Sequence, residues 1–159
     1  MYLDMCFPRE IENAKKNNTP VVIVGGTVEY HGPQCSYGCD TLIAEGLIKK
    51  LAEKKDIIIA PTISYSPASY AVGDATSGTV HVEENAFEDY VYYVFMSMLS
   101  AGLRNIYVVI HHQYEQENLM PMTLCYMKAA KRATFAYLEK TKGQGWWGSE
   151  SYNTYYENL

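Results

Sequence analysis

Three short runs, "TPVVIVGG" at 19–26, "DIIIAP" at 56–61 and "RNIYVVIHH" at 104–112, carry uninterrupted apolar and mostly β-branched cores. A strand with one wet face alternates apolar and polar residues, whereas an unbroken Val/Ile run needs cover on both faces. All three are therefore expected as buried strands. Segments of helical character separate them. "PREIENAKKNN" opens on a proline and a polar turn and ends in asparagines, the marks of a short helix. "DTLIAEGLIKKLAEKK" sets Leu42, Ile43, Leu47 and Leu51 on one helical face, and Asp40 or Thr41 can cap its start. "EENAFEDYVYYVFMSMLSAGL" has an acidic first turn and a following apolar stripe that closes near Gly102, and "ENLMPMTLCYMKAAKRATFAYLEKTKG" reads as a helix between Pro121 and Gly143. Strand and helix alternating in this way predict an α/β fold, a three-layer sandwich with a mainly parallel sheet and right-handed crossovers.

With 159 residues, the chain is expected to form a single domain over 1–159. No apolar run approaches the roughly 20 residues that span a bilayer. The N-terminal stretch also lacks the basic-then-apolar layout of a secretory signal, so no membrane partner and a cytoplasmic location are expected. A formal charge of −5 argues against nucleic acid, because phosphate neutralisation needs clustered Lys and Arg. The one basic cluster, "KAAKR" at 128–132, has the spacing of a solvated helical face. Cys6, Cys35, Cys39 and Cys125 are expected as reduced thiols. Cys35 and Cys39 have a CxxxC spacing, but no second pair completes a structural zinc site. They read as small, half-buried loop residues.

In open parallel sheets ligands gather at the carboxyl ends of the strands. The first strand runs into Glu29 and His31, and the third into "HHQYEQE". Glu29, His31, Asp40, His112 and Glu115 are then five oxygen and nitrogen donors, a set that suits zinc, manganese or iron better than calcium or magnesium. Five donors exceed what one catalytic metal takes from protein. A bridging carboxylate between two metals would use them all, and such a pair activates a shared water as hydroxide. His111 and Glu117 are the alternatives at the third strand. The long Ser/Gly/Pro-rich loop "SYSPASYAVGDATSGTVHV" is of a kind that is usually functional. Asp74 and Ser77 on it are candidates to line a pocket, and His81, alternating with Val80 and Val82, reads as a structural histidine.

"GGTVEYHGPQCSYGCDT" resembles the signature of the creatininase (creatinine amidohydrolase) family: a buried strand, then G-S/T-x-E-x-H-G-P, a short loop and G-x-D-T opening a helix. Gly26, Glu29, His31, Gly32, Pro33, Gly38, Asp40 and Thr41 match in register. "SGTVHV" resembles the family's P-G-T-hydrophobic segment, and "IHHQYEQE" stands where the family carries N-G-H-G-G-N or N-G-H-Y-E-N; the likeness runs to about Ala130. The resemblance implies a creatininase-like hydrolase of a non-peptide C–N bond, a cyclic amide, with two divalent metal ions, zinc first and manganese or iron as alternatives. Glu29, His31 and Asp40 carry over as ligands with Asp40 the bridge; His112 and Glu115 complete the set, although the family spaces this pair as His-x-Glu.

The family's later segment, of H-A-G-x-x-E-T type, has no match here, so the chain reads as shortened at its C-terminus. Three expectations follow from the resemblance: a small-molecule substrate, a hexamer-like oligomer, and a second polypeptide that could supply the remaining half. Tyr114, with Glu115 and His112, is the catalytic candidate, and Trp146, Trp147 and Ser77 are the substrate-binding candidates. Trp146 and Trp147 could equally pack against a partner. The rival reading is a non-catalytic or half-site subunit of a hetero-oligomeric complex.

Overall fold

The computed structural model describes residues 1–70, 72–112 and 120–146. Its three strands are β1 (Val21–Gly25), β2 (Ile58–Ile59) and β3 (Ile106–Ile110), all parallel, in the order β2-β1-β3. The helices are α1 (Pro8–Lys16), α2 (Cys39–Ala52), α3 (Glu84–Ser100) and α4 (Pro121–Lys142). Central β1 pairs in register with both neighbours, Val21 opposite Ile58 on one side and Ile106 on the other. The expected alternation of strand and helix is present.

Because side chains alternate across a strand, β1 divides two cores. Val21 and Ile23 pack with Phe87, Val91 and Phe95 of α3 and with Met122, Tyr126, Ala129 and Ala133 of α4. Val22 and Val24 pack with Ala44 and Ile48 of α2 and with Ile57 and Ile59. The sheet is thus covered on both faces by helices, the three-layer arrangement its Val/Ile runs demanded.

Two expectations need correction. β3 is not buried. It lies at one edge of the β2-β1-β3 sheet, its side chains only partly covered and Tyr107 54% exposed. The apolar face expected for α2 also turns the other way: Leu42 and Leu47 are 59% and 57% exposed, with Ile43 and Leu51 also outside. The helix rests instead on Thr41, Ala44 and Ile48, and Ala44, fully buried, brings its backbone close to the sheet. A leucine stripe there would hold the helix further off.

The long loop is held rather than loose. Val80 donates its N–H to the Val28 carbonyl at 2.9 Å in an antiparallel bridge, and Ser66 bridges to His81. His81 accepts the Ser69 N–H on Nδ1 at 3.3 Å and lies 5.2 Å from the Tyr70 ring, a packing position. No helix among the described residues is long and apolar enough to cross a membrane.

Candidate metal centre

The carboxyl ends of β1 and β3 lie side by side, Gly25 opposite Ile110, so the residues that follow each strand meet. The chain leaving β1 is fixed by a clamp at the start of α2. Thr41 Oγ1 accepts the Thr27 N–H and donates to the Thr27 carbonyl, both at 3.0 Å. Gly26 is required for this approach, since a Cβ there would lie 2.2 Å from Thr41 Oγ1. Ser66 Oγ donates to the Gly26 carbonyl at 2.7 Å from the other side. The expectation that Asp40 or Thr41 caps α2 is therefore wrong: Gly38 is the capping residue, and no side chain caps the helix. The two side chains are committed elsewhere, Thr41 to Thr27 and Asp40 to imidazoles.

Beyond the clamp, Glu29 donates its N–H to the Tyr37 carbonyl at 2.9 Å, and Tyr30 donates its own to Thr79 Oγ1 at 3.0 Å. This backbone directs Glu29 inward, where it is 1% exposed. His31 Nδ1 lies 3.0 Å from the Glu29 carbonyl. Donation from Nδ1–H fixes the ring and turns Nε2 toward the carboxylates, the orientation a ligating imidazole requires.

Asp40 is the hub. Its Oδ2 is 3.3 Å from His31 Nε2 and 3.2 Å from His112 Nδ1, while its Oδ1 is 3.1 Å from His111 Nδ1. Glu29 Oε2 stands 3.2 Å from His112 Nδ1 and 3.6 Å from His31 Nε2. Among the described residues, two groups collect donor atoms within 4.8 Å of one another: Glu29, Asp40 and His112, all buried, and His31, Cys39 and Asp40. Asp40 belongs to both. A cavity of about 390 Å³ lined by His31, Asp40, Ile110 and His111 opens onto the cluster.

Electrostatics mark the same place. Burial alone would lower the His112 pKa, but hydrogen bonds and charge from Glu29 and Asp40 outweigh it and hold the imidazole above its ordinary value. Two carboxylates this close in a dry site call for positive charge between them. Glu29 Oε1 and His112 Nε2 are buried with no hydrogen-bond partner among the described residues. The orphaned Glu29 oxygen and the mixed imidazole and carboxylate donors fit a divalent cation of the zinc, manganese or iron type.

The structure brings together four of the residues singled out from sequence, Glu29, His31, Asp40 and His112, and adds two. His111, the alternative to His112, reaches Asp40 beside it rather than instead of it. Cys39, expected as an uncommitted loop residue, opens α2 within the His31–Asp40 group, while Cys35 is exposed. The overlooked signal was simply that Cys39 precedes Asp40. Glu115, Tyr114, Trp147 and the alternative Glu117 lie outside the described residues. Trp146 is buried, its ring edge-on to Phe135 with centroids 5.7 Å apart. Ser77 Oγ donates to the Asp74 carbonyl at 2.6 Å, and the Ser77 carbonyl accepts the Tyr37 hydroxyl at 2.7 Å.

The family model for creatininase, described as creatinine amidohydrolase, matches residues 6–155. The chain belongs to the creatininase family. A 3-dehydro-scyllo-inosose hydrolase of Thermotoga maritima is 27% identical over 125 residues, 78% of this chain and 39% of that protein. Among solved structures, a tryptophan-to-phenylalanine variant of creatininase superposes with a TM-score of 0.76 at 15% identity, covering 91% of this chain and 55% of that one. A manganese form of creatininase gives 0.75 at 16% identity, with the same shares covered. A Zn-Zn form of a glutamate-to-glutamine variant gives 0.70 at 16% identity, over 85% of this chain and 53% of that one. The likeness establishes the creatininase fold, and this chain spans about half the length of the creatininases it matches.

Proposed function

We propose that the chain is a metal-dependent hydrolase of a non-peptide C–N bond, a cyclic amide, and works with two divalent ions. The observation that carries this reading is the position of Asp40, whose two oxygens face three imidazoles and which belongs to both donor groups. In this reading Glu29, Asp40 and His112 hold one ion, and His31 and Asp40 hold the other together with Glu115. When bound, the ions supply a Lewis acid for the substrate carbonyl and an activated water. Glu29 contributes a carboxylate already stripped of water, and the His31–Glu29 carbonyl contact keeps Nε2 aimed at the cluster. The cavity beside His31 and His111 admits a small ring. Tyr114 and Glu115 are proposed to handle the proton of the leaving nitrogen, with Ser77, Trp146 and Trp147 toward the substrate. The domain is taken as one unit over 1–159, in a hexamer-like assembly that a second polypeptide could complete.

Support comes from family membership, from hydrolases among the matched relatives, and from manganese and zinc forms of creatininase on the same fold. Elemental analysis of the purified protein, followed by assay of a panel of cyclic amides, tests the reading. Two transition metals per chain with ring opening are expected. Full metal content in an Asp40→Ala variant would overturn the bridging role, and a chain that takes up no metal and opens no ring would overturn the hydrolase.

A further inference from the structure

We infer that Cys39 supplies a thiolate ligand to the ion held by His31 and Asp40, giving that position a nitrogen, oxygen and sulfur donor set that selects zinc-like cations over manganese. The inference rests on the two-ion reading above and adds a ligand to it. Its geometric basis is that a donor atom from each of Cys39, His31 and Asp40 lies within 4.8 Å of the other two. The surroundings supply an independent reason to place a cation there. Glu29 faces the same cluster, its Oε2 3.6 Å from His31 Nε2, and its buried Oε1 has no hydrogen-bond partner among the described residues.

In the reading above this ion already has His31, Asp40 and Glu115; Cys39 would add a sulfur donor to that nitrogen and oxygen set. It is the first residue of a 14-residue helix with no capping side chain; burial and the neighbouring Asp40 charge raise its thiol pKa, and a bound cation is what would deprotonate it. Thiolate is a soft ligand that suits zinc and its spectroscopic substitute cobalt(II), whereas manganese prefers oxygen.

The test loads cobalt(II) onto the metal-free full chain and onto its Cys39→Ser and Cys35→Ser variants, reading absorbance and bound metal together. The expected result is a thiolate-to-cobalt charge-transfer band in the wild type and in Cys35→Ser that is lost in Cys39→Ser. Cobalt bound in full with no such band, or a band lost only with Cys35, overturns the thiolate ligand and leaves the two-ion reading intact. No bound cobalt in the wild type overturns both. X-ray absorption of the zinc-loaded wild type decides the matter even if Cys39→Ser fails to fold. A sulfur neighbour at about 2.3 Å supports the ligand, and a shell of only nitrogen and oxygen at about 2.0–2.2 Å refutes it.

Discussion

The hydroxyl of Thr41, in the first turn of α2, holds both backbone groups of Thr27, accepting its N–H and donating to its carbonyl at 3.0 Å each. A single side chain thereby fixes the distance between the loop that carries Glu29 and His31 and the helix that carries Asp40. Valine has the same shape without the hydroxyl, so Thr41→Val would strand both Thr27 groups in a buried setting. A destabilisation of about 1–3 kcal/mol is expected, measured by urea unfolding. Thr41→Ser, which keeps the hydroxyl, should lose less.

Asp40 serves both donor groups, so its removal should do more than remove one ligand. Asp40→Asn keeps the size and gives up the charge that faces His31, His111 and His112. Metal content per chain should fall below that of the His111→Ala variant, because the exposed His111 imidazole meets only one of the two Asp40 oxygens. Plasma emission analysis of the two proteins, purified in parallel, checks the order.

Metal uptake should depend on pH with a definite sign. Glu29 and Asp40 raise the His112 pKa by favouring its protonated form, and an imidazole must be neutral to ligate. Affinity is therefore expected to climb as pH rises through that raised value and to level off above it. Calorimetric titration with zinc in buffers of different ionisation heat would show proton release on binding, largest below the raised pKa.

Helix α2 gives two opposite stability predictions. Ala44 is fully buried against Val22 and Val24, and Ala44→Leu should cost about 1–3 kcal/mol by overpacking. Gly46 sits in the same helix with nothing within 4 Å of where a Cβ would be. Gly46→Ala should stabilise by about 0.4–1 kcal/mol. Thermal unfolding of the two variants, at one protein concentration, reads both effects.

Chelation should lower the melting temperature as well as activity. An ion that binds only the folded chain stabilises it by mass action, about 2.7 kcal/mol at a hundredfold excess over Kd. Scans with and without a chelator should therefore separate, and added zinc should restore the higher value.

The strands were legible because each apolar run lacks a polar residue, and such a run has few alternatives to a covered sheet. Glu29, His31, Asp40 and His112 were legible because strand ends in a parallel sheet converge and the residue types there suit a cation. The inward face of α2 was not. Leu42, Leu47 and Leu51 are more hydrophobic than Thr41, Ala44 and Ile48, but closeness to the sheet depends on size, and only the smaller residues allow it. The edge position of β3 was equally hidden, since "IYVVI" reads the same in a central strand and an exposed one. Cys39 escaped notice because a CxxxC spacing drew attention to a pairing between cysteines instead of to its neighbour Asp40.

Asp40 and His112 touch across 72 positions of sequence. A ribosome releases Glu29, His31 and Asp40 long before the imidazole that closes the buried group, and that imidazole arrives only when β3 docks beside β1. Completion of that buried donor group is thus timed by the pairing of β3 with β1 and not by synthesis of the motif. A nascent chain halted before residue 112 would carry the motif's acids and one histidine without the imidazole that completes the buried group of Glu29, Asp40 and His112.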